Sequence, residues 1–497
     1  MNTSMIRFIL GNVLKLEGLL MLLPCIVALI YQEYNGIYFL ITIALCFIFA
    51  FLFCHKKPTK MIFYLKEGCV ATALSWILLS FFGALPFYLS REIPSFTDSL
   101  FETISGFTTT GASVLSDVEH LSHCMLFWRS FTHWIGGMGV LVFLLAVIPM
   151  SGGSHINLMR AESPGPSVGK LVPKIRSTAR ILYIIYFGLT VLETILLFAG
   201  GIPLFDALTT AFGTAGTGGF GIKNDSITSY STYIQWIVTI FMIMFGVNFN
   251  AYYLAIYGSI KDALKVEEVK YYILIIFCSI GLIVCNIIES CKGFFDALTQ
   301  ASFQVASIIT TTGFSTTDFD KWPETAKTIL IFLMIIGACA GSTGGGIKVS
   351  RFLIVAKTVK KELTSYIHPK SVKKIKIDGK PVEHDVVRSV NVYFISFISV
   401  FCISLFLISF ENFDFTTSFT AVAATINNIG PGLSMVGPTC NFGIFGLFSK
   451  YVLMFDMLAG RLELFPLLIM FHPSIWKELS HEAGVRAKKL KKAGHKF

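Results

Sequence analysis

Apolar runs of about 20 residues recur along the whole chain, beginning with residues 8–30 and 37–54 and ending with residues 448–471. A helix of that length crosses the roughly 30 Å hydrocarbon layer of a membrane. The composition leads to the same class: 54% of the 497 residues are hydrophobic, 14% are charged and 47 are Phe. The mean hydropathy of +0.70 lies well outside the range of soluble domains. The chain reads as an all-α polytopic membrane protein. Its net charge of +10 comes from Lys and Arg concentrated in particular connections, which reports orientation in the membrane and offers no basic face for nucleic acid. The eleven cysteines lie mostly inside apolar runs, Cys25, Cys46, Cys278, Cys285 and Cys402 among them, with no Cys-x-x-Cys pair. They read as small buried hydrophobes rather than disulfides or metal ligands. The first run is followed by Tyr31-Gln32-Glu33 and not by a small-residue cleavage site, so it is expected to stay as a helix.

A short polar segment ending in glycine recurs four times between apolar ones. Thr108-Thr109-Thr110-Gly111-Ala112 agrees with Thr310-Thr311-Thr312-Gly313-Phe314. Upstream, Phe101-Glu102-Thr103-Ile104-Ser105 stands to Gly111 as Phe303-Gln304-Val305-Ala306-Ser307 stands to Gly313, ten residues separating Phe from Gly in both. Two altered copies follow Asp-containing lead-ins at Asp206 and Asp414 and read Ala215-Gly216-Thr217-Gly218-Gly219-Phe220 and Asn427-Asn428-Ile429-Gly430-Pro431-Gly432. A loop ending in Gly can leave the right-handed regions of backbone space and point successive carbonyls the same way. Four such loops around an axis form rings of carbonyls that replace a cation's water shell, as in potassium channels. One Thr-Thr-Thr-Gly would be a polar turn; four copies in one hydrophobic setting read as a fourfold pore made within a single polypeptide.

The chain then divides into residues 1–66, holding two N-terminal transmembrane helices and the basic loop His55-Lys56-Lys57-Pro58-Thr59-Lys60, and four pseudo-repeats at 67–180, 181–270, 271–386 and 387–497. Each is expected to contain an outer helix, a re-entrant pore helix too short to span, a filter loop and an inner helix. In the first repeat these fall at 68–89, 97–107 and 125–150, and in the second the inner helix runs from 234 to 260. About ten full crossings and four half-helices result. The connections between repeats carry Arg160, Lys170, Lys174, Arg176 and Arg180, then Lys261, Lys265 and Lys270, then a basic stretch from Lys348 to Lys376. The segments after the filters carry Asp117, Glu119, Asp318, Asp320 and Glu324, or no charge between Gly432 and Ser449. By the positive-inside rule the basic connections and both termini are cytoplasmic and the filter loops face outward.

Two features belong inside the pore. The third inner helix is interrupted by Gly337-Ala338-Cys339-Ala340-Gly341-Ser342-Thr343-Gly344-Gly345-Gly346, too flexible and polar for a lipid-facing helix. It reads either as a gate lying under the filter or as a kink that lets small residues pack closely. A phosphate-binding loop is excluded, because Lys348 comes two residues after the last glycine and no Ser or Thr directly follows it. The last helix carries Asp456, Arg461 and Glu463. Arg461 either projects into the conduction path as a barrier or joins Glu463 or Asp456 in a network that fixes helix positions. Arg129 is expected at the outer interface, Glu102 as a brace of a pore helix and His133 as a satisfied core residue. No His/Asp/Glu constellation supports a membrane-embedded enzyme. A symporter coupling potassium to a proton or sodium ion is the alternative to a channel, and parallel repeats with outward loops favour the channel.

With these features the chain resembles the TrkH/TrkG/KtrB superfamily of bacterial potassium-uptake proteins over nearly its whole length. Besides the filters, the matching motifs are Trp134-Ile135-Gly136-Gly137-Met138-Gly139, Arg160-Ala161-Glu162-Ser163-Pro164-Gly165-Pro166, residues 339–348, residues 427–432 and Gly460-Arg461-Leu462-Glu463. The two extra N-terminal helices resemble the TrkH and TrkG branch rather than the shorter KtrB. The resemblance implies a potassium channel-like transporter, homodimeric in the bacterial inner membrane, with no cofactor of its own, opened by a separate cytoplasmic nucleotide-binding subunit of the TrkA type. It places the potassium-coordinating backbone at Thr109, Thr110 and Gly111; Gly216, Thr217 and Gly218; Thr311, Thr312 and Gly313; and Asn428, Ile429 and Gly430. It places the intramembrane gating loop at Gly341, Ser342, Thr343, Gly344, Gly345 and Gly346, and the arginine below the filter at Arg461. Spacing leaves both Gly218 and Gly219 open as the second filter glycine; Gly218 is preferred because Thr217 then matches Thr110 and Thr312. The filters depart from the fuller Thr-Val-Gly-Tyr-Gly of potassium channels, which implies looser selectivity over sodium.

Overall fold

The computed structural model describes residues 1–56, 58, 64–139, 175–370, 374–475 and 477. The motif at 160–166, most of the basic loop after residue 56, the far part of the expected helix 125–150 and the basic C-terminal tail lie outside the described residues. The N-terminal span is α1 (Thr3–Leu20) followed by α2 (Leu22–Tyr31), and α3 (Gly36–Cys54) returns across the membrane. Pro24 sits in the first turn of α2, where the missing N–H costs no intrahelical bond.

The stretch expected to form the first repeat contains α4 (Leu65–Ser90), α5 (Phe96–Phe107) and α6 (His123–Gly137). The second contains α7 (Ile175–Ala199), α8 (Leu204–Ala215), α9 (Thr232–Phe245), α10 (Phe249–Tyr257) and the short α11 (Ile260–Lys265). The third has α12 (Glu267–Ile287), α13 (Phe294–Ile309), α14 (Glu324–Ile336) and α15 (Val349–Ile367). A two-residue antiparallel hairpin, Lys376–Ile377 with Lys380–Pro381, comes next. The fourth has α16 (His384–Ile408), α17 (Phe415–Ile426), α18 (Leu447–Arg461) and α19 (Phe465–Met470).

Among the described residues six helices are long and apolar enough to cross a membrane, and seven if α9 and α10 count as one bent span. Among the described residues the difference from the ten expected crossings lies in the inner helices, which stop or break. α6 ends at Gly137, followed by Gly139 at φ +77°. α9 and α10 meet at 92° instead of forming one helix over 234–260: α9 is capped by Gly246, where a side chain would collide with the Tyr272 hydroxyl, and Asn248 starts the new helix by accepting from Asn250 N. α14 ends at Gly337 with φ +72°. The expected helix over 448–471 divides between α18 and α19, where Glu463 and Leu464 take φ +54° and +69°.

The outer helices form the periphery. The apolar windows of α7, α12 and α16 are buried over only 22%, 33% and 28% of their residues, whereas that of α4 is 72% buried because α1 and α3 pack over it. The short helices expected as pore helices, α5, α8, α13 and α17, lie inside this shell, with Phe101 of α5 and Phe303 of α13 fully enclosed. Asp98, Asp206 and Asp296 stand in the first turns of α5, α8 and α13, and the side chain of Asp414 caps α17 by accepting from Thr417 N at 2.9 Å. Acidic groups at these ends oppose the positive end of each helix dipole, and the partially negative C-terminal ends point at the glycine-ended segments.

Candidate functional site

The segment after each pore helix has the same backbone geometry four times. The helices are capped by Thr108, Gly216, Thr310 and Asn427, all right-handed. The next residues, Thr109, Thr217, Thr311 and Asn428, are left-handed, with φ between +52° and +59°. The residue after them donates its amide five residues back: Thr110 N to Ser105 O at 2.9 Å, Gly218 N to Gly213 O at 2.9 Å, Thr312 N to Ser307 O at 2.8 Å and Ile429 N to Ala424 O at 2.9 Å. Gly111, Gly219, Gly313 and Gly430 then return to positive φ, from +74° to +99°. A left-handed residue other than glycine costs about 1–3 kcal/mol, and here the same strain recurs in every repeat.

This geometry corrects the register expected for the second repeat. Gly216 is the helix cap, equivalent to Thr108, and Thr217 matches Thr109 and Thr311 rather than Thr110 and Thr312. The backbone equivalents in that repeat are Thr217, Gly218 and Gly219. Matching threonine to threonine misaligned the segment because the left-handed positions, and not the hydroxyls, define the repeat.

The four segments close into a ring. A methyl group on Gly111 would sit 2.0 Å from the Gly218 carbonyl oxygen, on Gly219 2.0 Å from that of Thr312, on Gly313 2.0 Å from that of Ile429, and on Gly430 2.8 Å from that of Thr110. Each glycine therefore faces the middle carbonyl of the next repeat, with no room for a side chain. Hydroxyl pairs stiffen two of the segments, Thr108 with Thr110 at 2.8 Å and Thr310 with Thr312 at 2.7 Å. Asn428 Nδ2 donates to Thr110 Oγ1 and to Met457 O, both at 2.9 Å, tying the fourth segment to the first. Oxygens held close together without side chains between them can replace the water around a cation.

Glu102 braces the first pore helix. Its carboxylate accepts from Ser113 Oγ at 3.0 Å, Val114 N at 3.1 Å and Arg129 Nε at 2.6 Å. Arg129 is buried beside the cavity at this end of the ring, donates to Gly221 O at 2.8 Å and lies 3.6 Å over the Phe220 ring. The pairing with Glu102 compensates a charge that would otherwise be costly at this depth. On the far side of the ring a cavity opens between Ser113, Asn224, Ser315, Gly437 and Cys440. Asp117 in the same loops accepts from Asn224 Nδ2 at 2.8 Å, and this bond holds its carboxyl below the ordinary range.

The interrupted stretch 337–348 lies against the opposite side of the ring. Gly345 N donates to Thr311 Oγ1 at 2.5 Å and Gly346 N to Asn427 O at 3.0 Å. The stretch is also stitched to the break between α9 and α10, through Cys339 N to Gly246 O at 3.1 Å and Phe249 N to Gly341 O at 3.0 Å. Arg461 donates to Thr343 O at 2.9 Å, to Gly137 O at 2.8 Å and to Gly136 O, joining the loop to the end of α6. Among the described residues its acidic neighbours in sequence bond elsewhere: Glu463 pairs with Arg351, and Asp456 accepts from Ser404 Oγ at 2.6 Å.

Two loop-holding residues were not legible as such. Buried Glu268 accepts from Ala340 N at 2.7 Å, Ser350 N at 3.1 Å and Asn248 Nδ2 at 3.3 Å, gripping both ends of the loop. In the sequence it is one of two acids at a helix start, where solvent-exposed charge is ordinary. Lys348, buried at φ +88°, donates to the Gly344 and Gly345 carbonyls. Its place two residues after three glycines was the available signal.

Comparison with known proteins places this arrangement. Residues 36–281 and 287–478 match the TrkH family profile, described as cation transport protein. The chain is 37% identical over 490 residues to the Trk system potassium uptake protein TrkH of Salmonella typhimurium, covering 96% of this chain and 100% of that protein. It is 33% identical over 495 residues to TrkG of Escherichia coli, with the same coverage. The crystal structure of the potassium transporter TrkH from Vibrio parahaemolyticus superposes with a TM-score of 0.86 at 33% identity, over 96% of this chain and 100% of that one.

Proposed function

Since the chain belongs to the TrkH family of cation transport proteins, and is on that ground a multi-pass potassium-uptake transporter, we propose that potassium passes through a channel-like pore. Its selectivity filter is the ring of Thr109, Thr110 and Gly111; Thr217, Gly218 and Gly219; Thr311, Thr312 and Gly313; and Asn428, Ile429 and Gly430. The observation that carries this reading is the fourfold backbone geometry in which each glycine meets the next repeat's carbonyl. Potassium sheds water against these oxygens, and the four pore-helix C-termini add negative potential behind them. Uptake is driven by the membrane potential, about 2.3 kcal/mol per charge per 100 mV.

The loop 337–348 is the gate. It packs directly against the third and fourth filter segments and is fastened by Arg461, Lys348 and Glu268. It runs straight into α15, whose far half exposes Val359, Leu363 and Tyr366. A cytoplasmic nucleotide-binding subunit of the TrkA type that moves α15 would pull the loop from under the filter. The protein acts as a homodimer in the bacterial inner membrane with both termini cytoplasmic.

The test is cation flux in proteoliposomes holding this chain alone, under an imposed voltage without a pH gradient. Potassium and rubidium flux that exceeds sodium and lithium flux and follows voltage supports the channel. Flux that needs a proton or sodium gradient overturns it in favour of a symporter.

A further inference from the structure

The second filter segment lacks both side chains that stiffen the first and third. Where Thr108 and Thr110, and Thr310 and Thr312, pair their hydroxyls, the equivalent residues are Gly216 and Gly218. Two glycines in a strained segment should make it the loosest part of the ring. Yet the space beside them is full. A methyl group on Gly216 would lie 2.3 Å from the main-chain oxygen of His133, and one on Gly218 would lie 2.3 Å from both Cγ and Nδ1 of the His133 ring.

His133 is fully buried in α6 and held on two sides. Its Nδ1 lies 2.7 Å from the Gly106 carbonyl, which can only accept, so Nδ1 carries the proton. Its ring packs 4.2 Å from that of Phe220, just beyond the filter glycine. Among the described residues Nε2 has no hydrogen-bond partner. The imidazole thus connects the last turn of the first pore helix to the backbone of the second filter segment.

We propose that His133 is a positioning residue for ion selectivity, its ring replacing the side chain that the second filter segment does not have. It fixes the Gly218 carbonyl, the oxygen that faces Gly111 across the ring. Glycine at 218 is required by the ring's presence and glycine at 216 by the main chain of the same residue, and the ring is required by the glycine at 218. The inference rests on the filter reading of these four segments.

The test compares potassium-to-sodium flux ratios in proteoliposomes for the full chain and four variants. Gly313→Ser is the control for the filter itself; an unchanged ratio there removes the filter reading and this inference with it. With that control altered, His133→Ala is expected to lower the ratio about tenfold while potassium still passes, because a mobile carbonyl ring fits the smaller ion as well. An unchanged ratio in His133→Ala overturns the inference alone. Gly218→Thr, which restores the residue of the first and third repeats, should lose flux against the His133 ring. The double variant His133→Ala with Gly218→Thr should recover flux, because the space of the ring then takes the threonine. A double variant that fails to recover, or fails to reach the membrane, also overturns it.

Discussion

At Gly313 the backbone stands at φ +86°, and a side chain would meet the Ile429 carbonyl at 2.0 Å. Gly313→Ser therefore combines backbone strain of about 1–3 kcal/mol with displacement of a filter oxygen. Gly111, at φ +77° and 2.0 Å from the Gly218 oxygen, is the same case. Both variants are expected to insert in the membrane and lose discrimination between potassium and sodium, measured as the flux ratio; an unchanged ratio in either would contradict the filter. Arg461 differs in kind, because it donates to main-chain oxygens on two elements, Thr343 O in the loop and Gly137 O at the end of α6. Arg461→Ala frees the loop from α6 and is expected to raise flux in the chain alone, at unchanged protein level. Loss of folded protein would instead mark Arg461 as a structural tie.

Among the elements, the loop 337–348 has the most to lose from a single change. Glu268 satisfies amides at both of its ends, Ala340 N and Ser350 N, and hydrogen bonds to a charged acceptor contribute about 1.5–3 kcal/mol each. If the fastened loop is the closed state, Glu268→Ala shifts the balance toward opening and raises flux without a regulatory subunit by about tenfold. Deletion of Gly344, Gly345 and Gly346 removes the part that touches Thr311 and Asn427 and should do the same. Normal regulation in the deletion would show that the loop is a packing kink. The other broken inner helices give the loop its seat, since Cys339 N and Thr343 Oγ1 bond to the Gly246 and Phe245 carbonyls that the 92° bend exposes.

For the whole molecule the orientation can be read with a native thiol. Cys440 is exposed and lines the cavity on the side of the ring away from the loop 337–348, the side proposed to face outward. A membrane-impermeant thiol reagent is expected to label it from outside intact cells; labelling only after the membrane is opened would invert the topology. The sequence determined the apolar spans, the pore helices and the four glycine-ended segments, because hydrophobic runs, helix length and left-handed glycine are properties of neighbouring residues. The predicted 97–107 and observed Phe96–Phe107 differ by one residue at the start. Only the tertiary structure decided the register of the second segment, the breaks in the second and fourth inner helices, and the partners of Arg129, His133, Glu268 and Arg461. Those depend on which distant carbonyl or ring occupies the adjoining space. His133 lies some 80 residues before Gly218, and the glycine there has its meaning only once the two are packed together.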